Sequence, residues 1–298
     1  MEKLLFTGAS GFLGHNVKPM LVKQYDITTL GVTDKDDIKA NIASDNIELK
    51  EHYDVVLHAA GKAHIYPKDI AEVKSFYDIN FEGTKNLCKA LEKVGLPKSF
   101  IFISTLDVYG LTVGEGIDED YPKNPTSHYA ISKLQAEEYL MKWAEEKNIT
   151  LGILRPALMT GPNPPGNLKA MINGINKGYY LNIAGGHTRK SLMMIHDIAN
   201  LVPKIENVGG VYNVCDDRHP SYFELSVCIS KQLGKKPSIS IPYWMAWAMA
   251  KIGDIVKVLP INSYRLAQLT QSNTYSNVKA KTTLNWQPMD VVESFKIE

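Results

Sequence analysis

The chain has 298 residues, 44% hydrophobic and 22% charged, with a formal net charge of +1. That composition suits one large soluble domain or two closely joined lobes, and it excludes a disordered chain. The near-neutral balance offers no basic field for nucleic acid, and three cysteines without a CxxC pair fit a reducing cytoplasm rather than a disulfide scaffold.

The first predicted strand is KLLFT, from Lys3. Its apolar run is short and leads straight into glycines, which argues against a secretory signal. TGASGFLG follows, with Gly8, Gly11 and Gly14 spaced as GxxGxxG, and then the amphipathic segment HNVKPMLVKQ. Strand, glycine loop and helix in that order open a βαβ unit whose backbone N–H groups approach a pyrophosphate closely. We therefore read Gly8, Ser10, Gly11, Phe12, Leu13 and Gly14 as dinucleotide contacts. The second strand, DITTL, ends at Leu30, so Gly31 stands where an acidic residue usually bonds the ribose 2′-hydroxyl. Glycine removes a charge that would repel a 2′-phosphate, and Lys35 is near enough to attract one, which leans to NADP. Asp34 keeps NAD open, if the loop is one turn longer.

The strands DVVLHAA, SFIFIS and TLGILRP then alternate with the helical patterns SFYDINFEGTKNLCKALEKVG and SHYAISKLQAEEYLMKWAEEKN. Such alternation predicts an α/β fold, a doubly wound parallel sheet of Rossmann type with its ligands at the carboxyl ends of the strands. In the last helix Ile131, Leu134, Tyr139 and Trp143 lie at roughly helical spacing, and Glu137, Glu138, Lys142 and Glu145 supply polar positions. The same helix carries Tyr129 and Lys133, four residues apart and so on one face. A second pair at that spacing, Tyr275 and Lys279, shows that spacing alone decides nothing.

After Arg155 the sequence turns rich in Pro, Gly and Asn, as where a chain leaves its core for a smaller lobe. We assign residues 1–156 and about 191–216 to a dinucleotide-binding domain, and 157–190 and 217–298 to a substrate-binding lobe. SLMMIHDIANLV reads as a helix and GGVYNVCD as a strand returning to the sheet. In IPYWMAWAMAKIGDIVKVLPI, Lys251, Asp254 and Lys257 interrupt the run before the ~18–20 apolar residues that a spanning helix needs. A buried, lobe-packing helix is expected there, with an interfacial helix near a membrane as the alternative. No metal-ligand spacing occurs among the histidines, and no carboxylate cluster joins His58 or His64, so no bound metal is expected.

Taken in order, TGASGFLG, DVVLHAAG, NFEGT, FISTLDVYG, HYAISK, LRPALMTGP and IHDIA make the sequence resemble the extended short-chain dehydrogenase/reductase family, in its nucleotide-sugar epimerase, dehydratase and reductase branch. NVCDDRHPS and INSYRL are further similar to bacterial reductases of UDP-4-keto-sugars in surface polysaccharide synthesis. The resemblance selects Tyr129 and Lys133 over Tyr275 and Lys279. It implies that Tyr129 exchanges the proton, that Lys133 holds the nicotinamide ribose, and that Thr105 bonds the same substrate oxygen. A free tyrosine titrates near ~10, and a lysine ammonium or nicotinamide cation nearby would each favour the phenolate by ~1–3 pKa units.

The resemblance also implies cofactor contacts at Asn41, Ile42, His58, Ala59, Ala60, Gly61 and Pro156. Substrate contacts are implied at Thr105, Asp107, Arg189 and Lys190, the last two toward a diphosphate. Asn80 is expected to be a structural helix residue. Leu106 stands where dehydratases carry a carboxylate, which disfavours loss of water, and Leu158 replaces an asparagine that contacts substrate in many relatives. The resulting expectation is a cytoplasmic, NAD(P)-dependent reductase of a 4-keto nucleotide sugar. A 4-epimerase and a non-catalytic dinucleotide-binding protein are the alternatives. A homodimer is implied through the helices of NFEGT and HYAISK.

Overall fold

A computed structural model describes residues 1–44, 46–63, 67–256 and 261–297. His64 and Lys257, considered above, lie outside the described residues. Seven parallel strands form the central sheet: β1 Glu2–Thr7, β2 Tyr25–Gly31, β3 Ile38–Lys39, β4 Val55–His58, β5 Ser99–Ile103, β6 Thr150–Pro156 and β7 Gly210–Val214. Their order is β7-β6-β5-β4-β1-β2-β3, so the chain winds one way from β1 to β3 and the other way from β4 to β7. The reversal leaves a crevice between the carboxyl ends of β1 and β4, the place where such sheets bind ligands.

Most strand ends lie within about a residue of the expected boundary, because these strands are largely buried and read as continuous apolar runs; β4 and β7 stop two residues short, and the two-residue β3 was not expected. Every residue of VVLH in β4 and SFIFI in β5 is buried. Successive side chains alternate between two cores. Leu4 and Phe6 face helices α1 (Phe12–Leu21) and α6 (Asp197–Ile205), while Leu5 faces α3 (Gly83–Val94) and α4 (His128–Lys147). The helix expected over NFEGT is continuous but not uniform. Helix α2 (Ile70–Tyr77) passes through one π-helical turn, Asp78–Glu82, into α3. Helix α4 begins at Ser127, whose side chain accepts the Ala130 N–H, and ends at Asn148 in the left-handed region.

The segments expected to form a second lobe contain α5 (Gly166–Asn176), α7 (Tyr222–Gln232), α8 (Tyr243–Ile255), α9 (Ser263–Thr270) and α11 (Val291–Ser294). Two readings change here. SLMMIHDIANLV is not one helix: Leu192–Met194 is a buried strand pairing with Leu158–Thr160, and only Asp197 onward is helical. Three consecutive apolar residues buried on both faces favour a strand, which a helical periodicity count does not detect. Helix α8 does form, but its large side chains are not buried, since Trp244 is 68% and Trp247 50% exposed. Helix α10 (Val278–Leu284) leaves the second lobe again. Its Ala280 and Leu284, with the following Trp286, pack in the core that contains Leu4, Phe6 and α1.

Candidate active site

The glycine loop lies at the carboxyl end of β1, and two of its glycines are required by space. Gly8 has φ +78, and a Cβ there would lie 2.6 Å from the Ala60 nitrogen. A Cβ on Gly14 would lie 2.2 Å from the Ala9 carbonyl oxygen. Helix α1 therefore sits closer to the loop than any side chain allows. Its N-terminus, at Gly11, carries no side-chain cap and no acidic residue in the first turn. Uncapped N–H groups in a glycine cradle fit the pyrophosphate of a dinucleotide. Ser10 is partly exposed on the loop, Phe12 half-buried and Leu13 buried in the core beneath.

At the end of β2, Gly31 is the last strand residue, one beyond the expected end at Leu30. Asp34, the residue left as a possible ribose ligand, turns out to solvent and pairs with Lys39. Asp36 is the acidic group that folds back on the strand end. Its carboxylate accepts the Thr33 N–H at 3.0 Å and hydroxyl at 2.7 Å, and a Cβ on Gly31 would lie 2.5 Å from it. A cavity of about 230 Å³ opens there, lined by Ser10, Gly14, Lys18, Thr29, Lys35 and Asp36 among others. Asn41 and Ile42 follow β3. Asn41 is exposed and accepts the Ala43 N–H, whereas Ile42 is buried against Gly83 with its carbonyl bonded to Asn86.

The end of β4 is tied to β1. His58 is fully buried, its ring nitrogens bonded to the Thr7 hydroxyl at 2.6 Å and the Thr84 hydroxyl at 2.9 Å. Burial, assisted by Lys133, drives its pKa down to about 3, so the ring is neutral. The His58 side chain thus does not line the crevice, because two threonines occupy it. Ala59 and Ala60 donate their N–H groups to Thr7 and continue the rim. Gly61 comes next, with Asn80 and Lys133 so close that a Cβ would lie 3.0 and 3.1 Å from them. Asn80, in the π-helical turn, bonds both the Lys62 backbone and the Ser132 hydroxyl, which fits the structural role expected of it.

The three residues expected to be catalytic lie near the end of β5. Thr105 starts the 3₁₀ turn Leu106–Tyr109, its hydroxyl oxygen accepting the Asp107 N–H at 3.2 Å. The Thr105 hydroxyl lies near enough to the Tyr129 phenol to act on it. Burial and then the nearby Asp107 raise the Tyr129 pKa well above its ordinary value, more than Thr105 lowers it. The lowering expected from Lys133 does not prevail in the protein alone. Lys133 is buried, its ammonium donates to the Ile103 carbonyl at 2.8 Å, and burial brings its own pKa down to about 8 against the pull of Glu137. Pro156, at the end of β6, is buried beside Val214 of β7.

Behind the trio lies a buried polar network that sequence reasoning missed. Glu137 is completely buried and holds Arg155 through two bonds, at 3.0 and 2.6 Å, and also accepts from Ser104. Arg155 donates further to the Tyr109 hydroxyl, which donates to Asn213. Tyr129, Lys133 and Glu137 continue one four-residue series down α4, and that continuation was the signal available in the sequence.

The two basic residues expected to meet a diphosphate are used differently. Arg189 is engaged with Glu224 and with the carbonyls of Arg218 and His219. Lys190 is half-buried, and no described carboxylate pairs with it, so burial lowers its pKa. Tyr275 and Lys279 do not share a helix: Tyr275 ends the strand Asn273–Tyr275 and Lys279 lies in α10. Tyr275 nevertheless reaches the site, 5.6 Å from the Tyr109 ring and near enough to Asp107 to feel its charge. Leu158 is 43% exposed on its short strand.

The sequence model of the NAD dependent epimerase/dehydratase family matches residues 4–215. The chain belongs to that family. Among curated members it is 28% identical to the N-acetyl-α-D-glucosaminyl-diphospho-ditrans,octacis-undecaprenol 4-epimerase of Escherichia coli O157:H7, over 90% of this chain and 84% of the relative. It is 29% identical to the UDP-glucose 4-epimerase of Vibrio cholerae, over 99% of this chain and 94% of the relative. Among solved structures, RMD from Pseudomonas aeruginosa complexed with NADPH superposes with a TM-score of 0.75, covering 98% of this chain and 96% of that one at 21% identity. The likeness in fold thus runs nearly the length of the chain.

Proposed function

We propose that this epimerase/dehydratase family member reduces the 4-keto group of a nucleotide sugar, with NADPH or NADH as the second substrate. The observation that carries the proposal is the Tyr129 phenol near Thr105, on the same helix whose Lys133 lies against Gly61. A bound nicotinamide dinucleotide supplies the hydride. The protein supplies the rest. Thr105 accepts from Asp107 N–H, which leaves its own hydroxyl proton for the substrate oxygen. Tyr129, held neutral by burial, donates its proton to that oxygen as negative charge develops on it. Lys133 is placed against Gly61 to meet the nicotinamide ribose, and Lys190 offers an unpaired cation for a diphosphate. Lys18 and Lys35 in the cavity beside Ser10 support NADP, while the Asp36 carboxylate folded onto the same strand end supports NAD, so the titration with both dinucleotides decides between them.

The second reading is a 4-epimerase, supported by the two 4-epimerases that align over 90% and 99% of this chain. A reductase consumes one reduced dinucleotide per turnover, whereas an epimerase returns its hydride and consumes none. The sugar's diphosphate carrier is then a nucleoside or, by likeness to the Escherichia coli relative, a polyprenyl chain.

The test is purified protein with NADPH or NADH and a panel of UDP-4-keto-sugars, followed at the reduced nicotinamide band. Stoichiometric oxidation with appearance of a hydroxyl sugar is the expected result. Tyr129→Phe should lower kcat by about 100- to 10,000-fold while dinucleotide titrations stay unchanged. Interconversion of UDP-glucose or UDP-N-acetylglucosamine with its 4-epimer, without net oxidation, would establish the second reading instead.

A further inference from the structure

Helix α8 is amphipathic in the inverted sense. Its inward stripe is Ala246, Ala250 and Gly253, and these small residues let it lie so close to the segment before α9 that a Cβ on Gly253 would be 1.8 Å from the Ile261 carbonyl oxygen. Its large apolar residues point outward instead: Trp244, Trp247, Ile252 and Ile255 are 68%, 50%, 55% and 83% exposed. An exposed apolar face of this size is a contact surface, not ordinary protein exterior. We propose that the outward face of α8 docks on the surface of an anionic phospholipid membrane.

Three observations select that occupant. The first is residue type. Tyr243, Trp244 and Trp247 crowd the start of the helix, and amphipathic rings of this kind settle at headgroup depth, with one end apolar and the other wet. Charge is the second. Residues 231–256 carry Lys231, Lys235, Lys236 and Lys251 against the single acid Asp254, within a chain whose net charge is only +1. Asp254 is bonded to Ser263 and lies 4.0 Å from Lys251, which also leans over the Trp247 ring at 5.9 Å, so the excess rests on Lys231, Lys235 and Lys236. That cationic excess complements anionic headgroups.

The third is length. Helix α8 has 13 residues, too few to cross a bilayer but enough to lie along its surface, and no described helix is long and apolar enough to span one. Exposed apolar residues also precede the helix in the chain. Ile239, 72% exposed, bonds through its carbonyl to Asn182, the neighbour of exposed Leu181. The proposal goes beyond the assigned chemistry, although the docked lobe is the one whose Asn273–Tyr275 strand closes on Asp107. Docking at the membrane would place the substrate side of the crevice within reach of a diphosphate anchored there.

The fluorescence of the protein gives a direct readout. Of its four tryptophans, Trp143 and Trp286 are buried, so a change in emission on adding vesicles reports on Trp244 and Trp247. The full chain should co-sediment with phosphatidylglycerol/phosphatidylcholine vesicles. Its emission should shift to the blue and be quenched by acyl-brominated lipid, and binding to pure phosphatidylcholine should be at least about tenfold weaker. The double variant Trp244→Ser/Trp247→Ser should lose the binding while keeping its circular dichroism and melting temperature, because both side chains are exposed. No binding of the wild type to anionic vesicles, or equal binding by the double variant, overturns the proposal. A wild-type dimer that ignores vesicles and becomes monomeric in the double variant also overturns it, and assigns the face to a second copy. None of these readouts depends on turnover, so they stand or fall separately from the assigned reaction.

Discussion

Lys133 shows what the site costs the protein. Its pKa of about 8 lies below the ordinary 10.5, so near neutral pH it is charged in both the folded and unfolded states, and burial disfavours that charge in the fold. Stability therefore rises as pH climbs from about 8 to about 10.5, where the folded lysine sheds its proton before the unfolded one does. Lys133→Met should raise the stability of the cofactor-free protein by about 1–3 kcal/mol at neutral pH, with the gain shrinking toward pH ~10. Turnover should be lost. Thermal melts of wild type and variant across that range check the sign. A variant that melts lower at every pH would mean that the bond to the Ile103 carbonyl outweighs desolvation. The residue scale is also where the sequence was most legible. The tight turn at Gly8 and Gly14 and the approach of Lys133 to Gly61 follow from short motifs fixed by local geometry. Arg189 was not separable from Lys190 by sequence, since its partner Glu224 stands 35 positions away.

At the level of elements, two contacts set the placement of helices. Helix α1 approaches the glycine loop through Gly14, and its neighbour there is backbone, which cannot swing aside. Gly14→Ala should destabilise the protein by about 1–3 kcal/mol and weaken dinucleotide binding at least tenfold, as read by denaturant unfolding and cofactor titration. Helix α4 is pinned to β6 by Glu137 and Arg155, a pair closed to water. Arg155→Leu leaves the Glu137 charge buried without its cation and should cost about 3–5 kcal/mol. The double change Glu137→Leu/Arg155→Leu should recover most of that loss in chemical denaturation. The strands were legible because doubly covered strands are apolar throughout. This polar pair was not, since a glutamate at a helical position is normally solvated and only the tertiary fold supplies its arginine. Helix α8 misled for the converse reason: apolar composition predicts burial, and nothing in a linear sequence says which face a neighbouring helix will take.

For the molecule as a whole, the joins between lobes carry an unusual pH dependence. Asp197 and Asp216 are both fully buried, and burial raises the pKa of each to about 6 from the ordinary 3.8. Asp197 accepts the Met289 N–H, and Asp216 those of His219 and Val291, so the two acids fasten the segment leading into α11. A raised carboxyl pKa gives stability that is full below about 4 and lost as pH rises through about 6. Thermal melts should therefore show the wild type more stable near pH 5 than near pH 7, by about 1 kcal/mol from Asp216 alone. Asp216→Asn should flatten that difference. The change in texture after Arg155 marks where the chain leaves the central sheet, but the return of α10 was not legible, because seven residues of mixed polarity announce no destination. That return has a consequence during synthesis. Ala280, Leu284 and Trp286 form part of the wall against which Leu4, Phe6 and α1 rest. A nascent chain makes the sheet's first strand early and its covering only after the whole second lobe has been translated. One face of the half-built domain is thus left open to solvent, and to any chaperone that binds apolar surface, until the ribosome is nearly done. A gene cut at the lobe boundary would leave the first lobe with that face permanently bare.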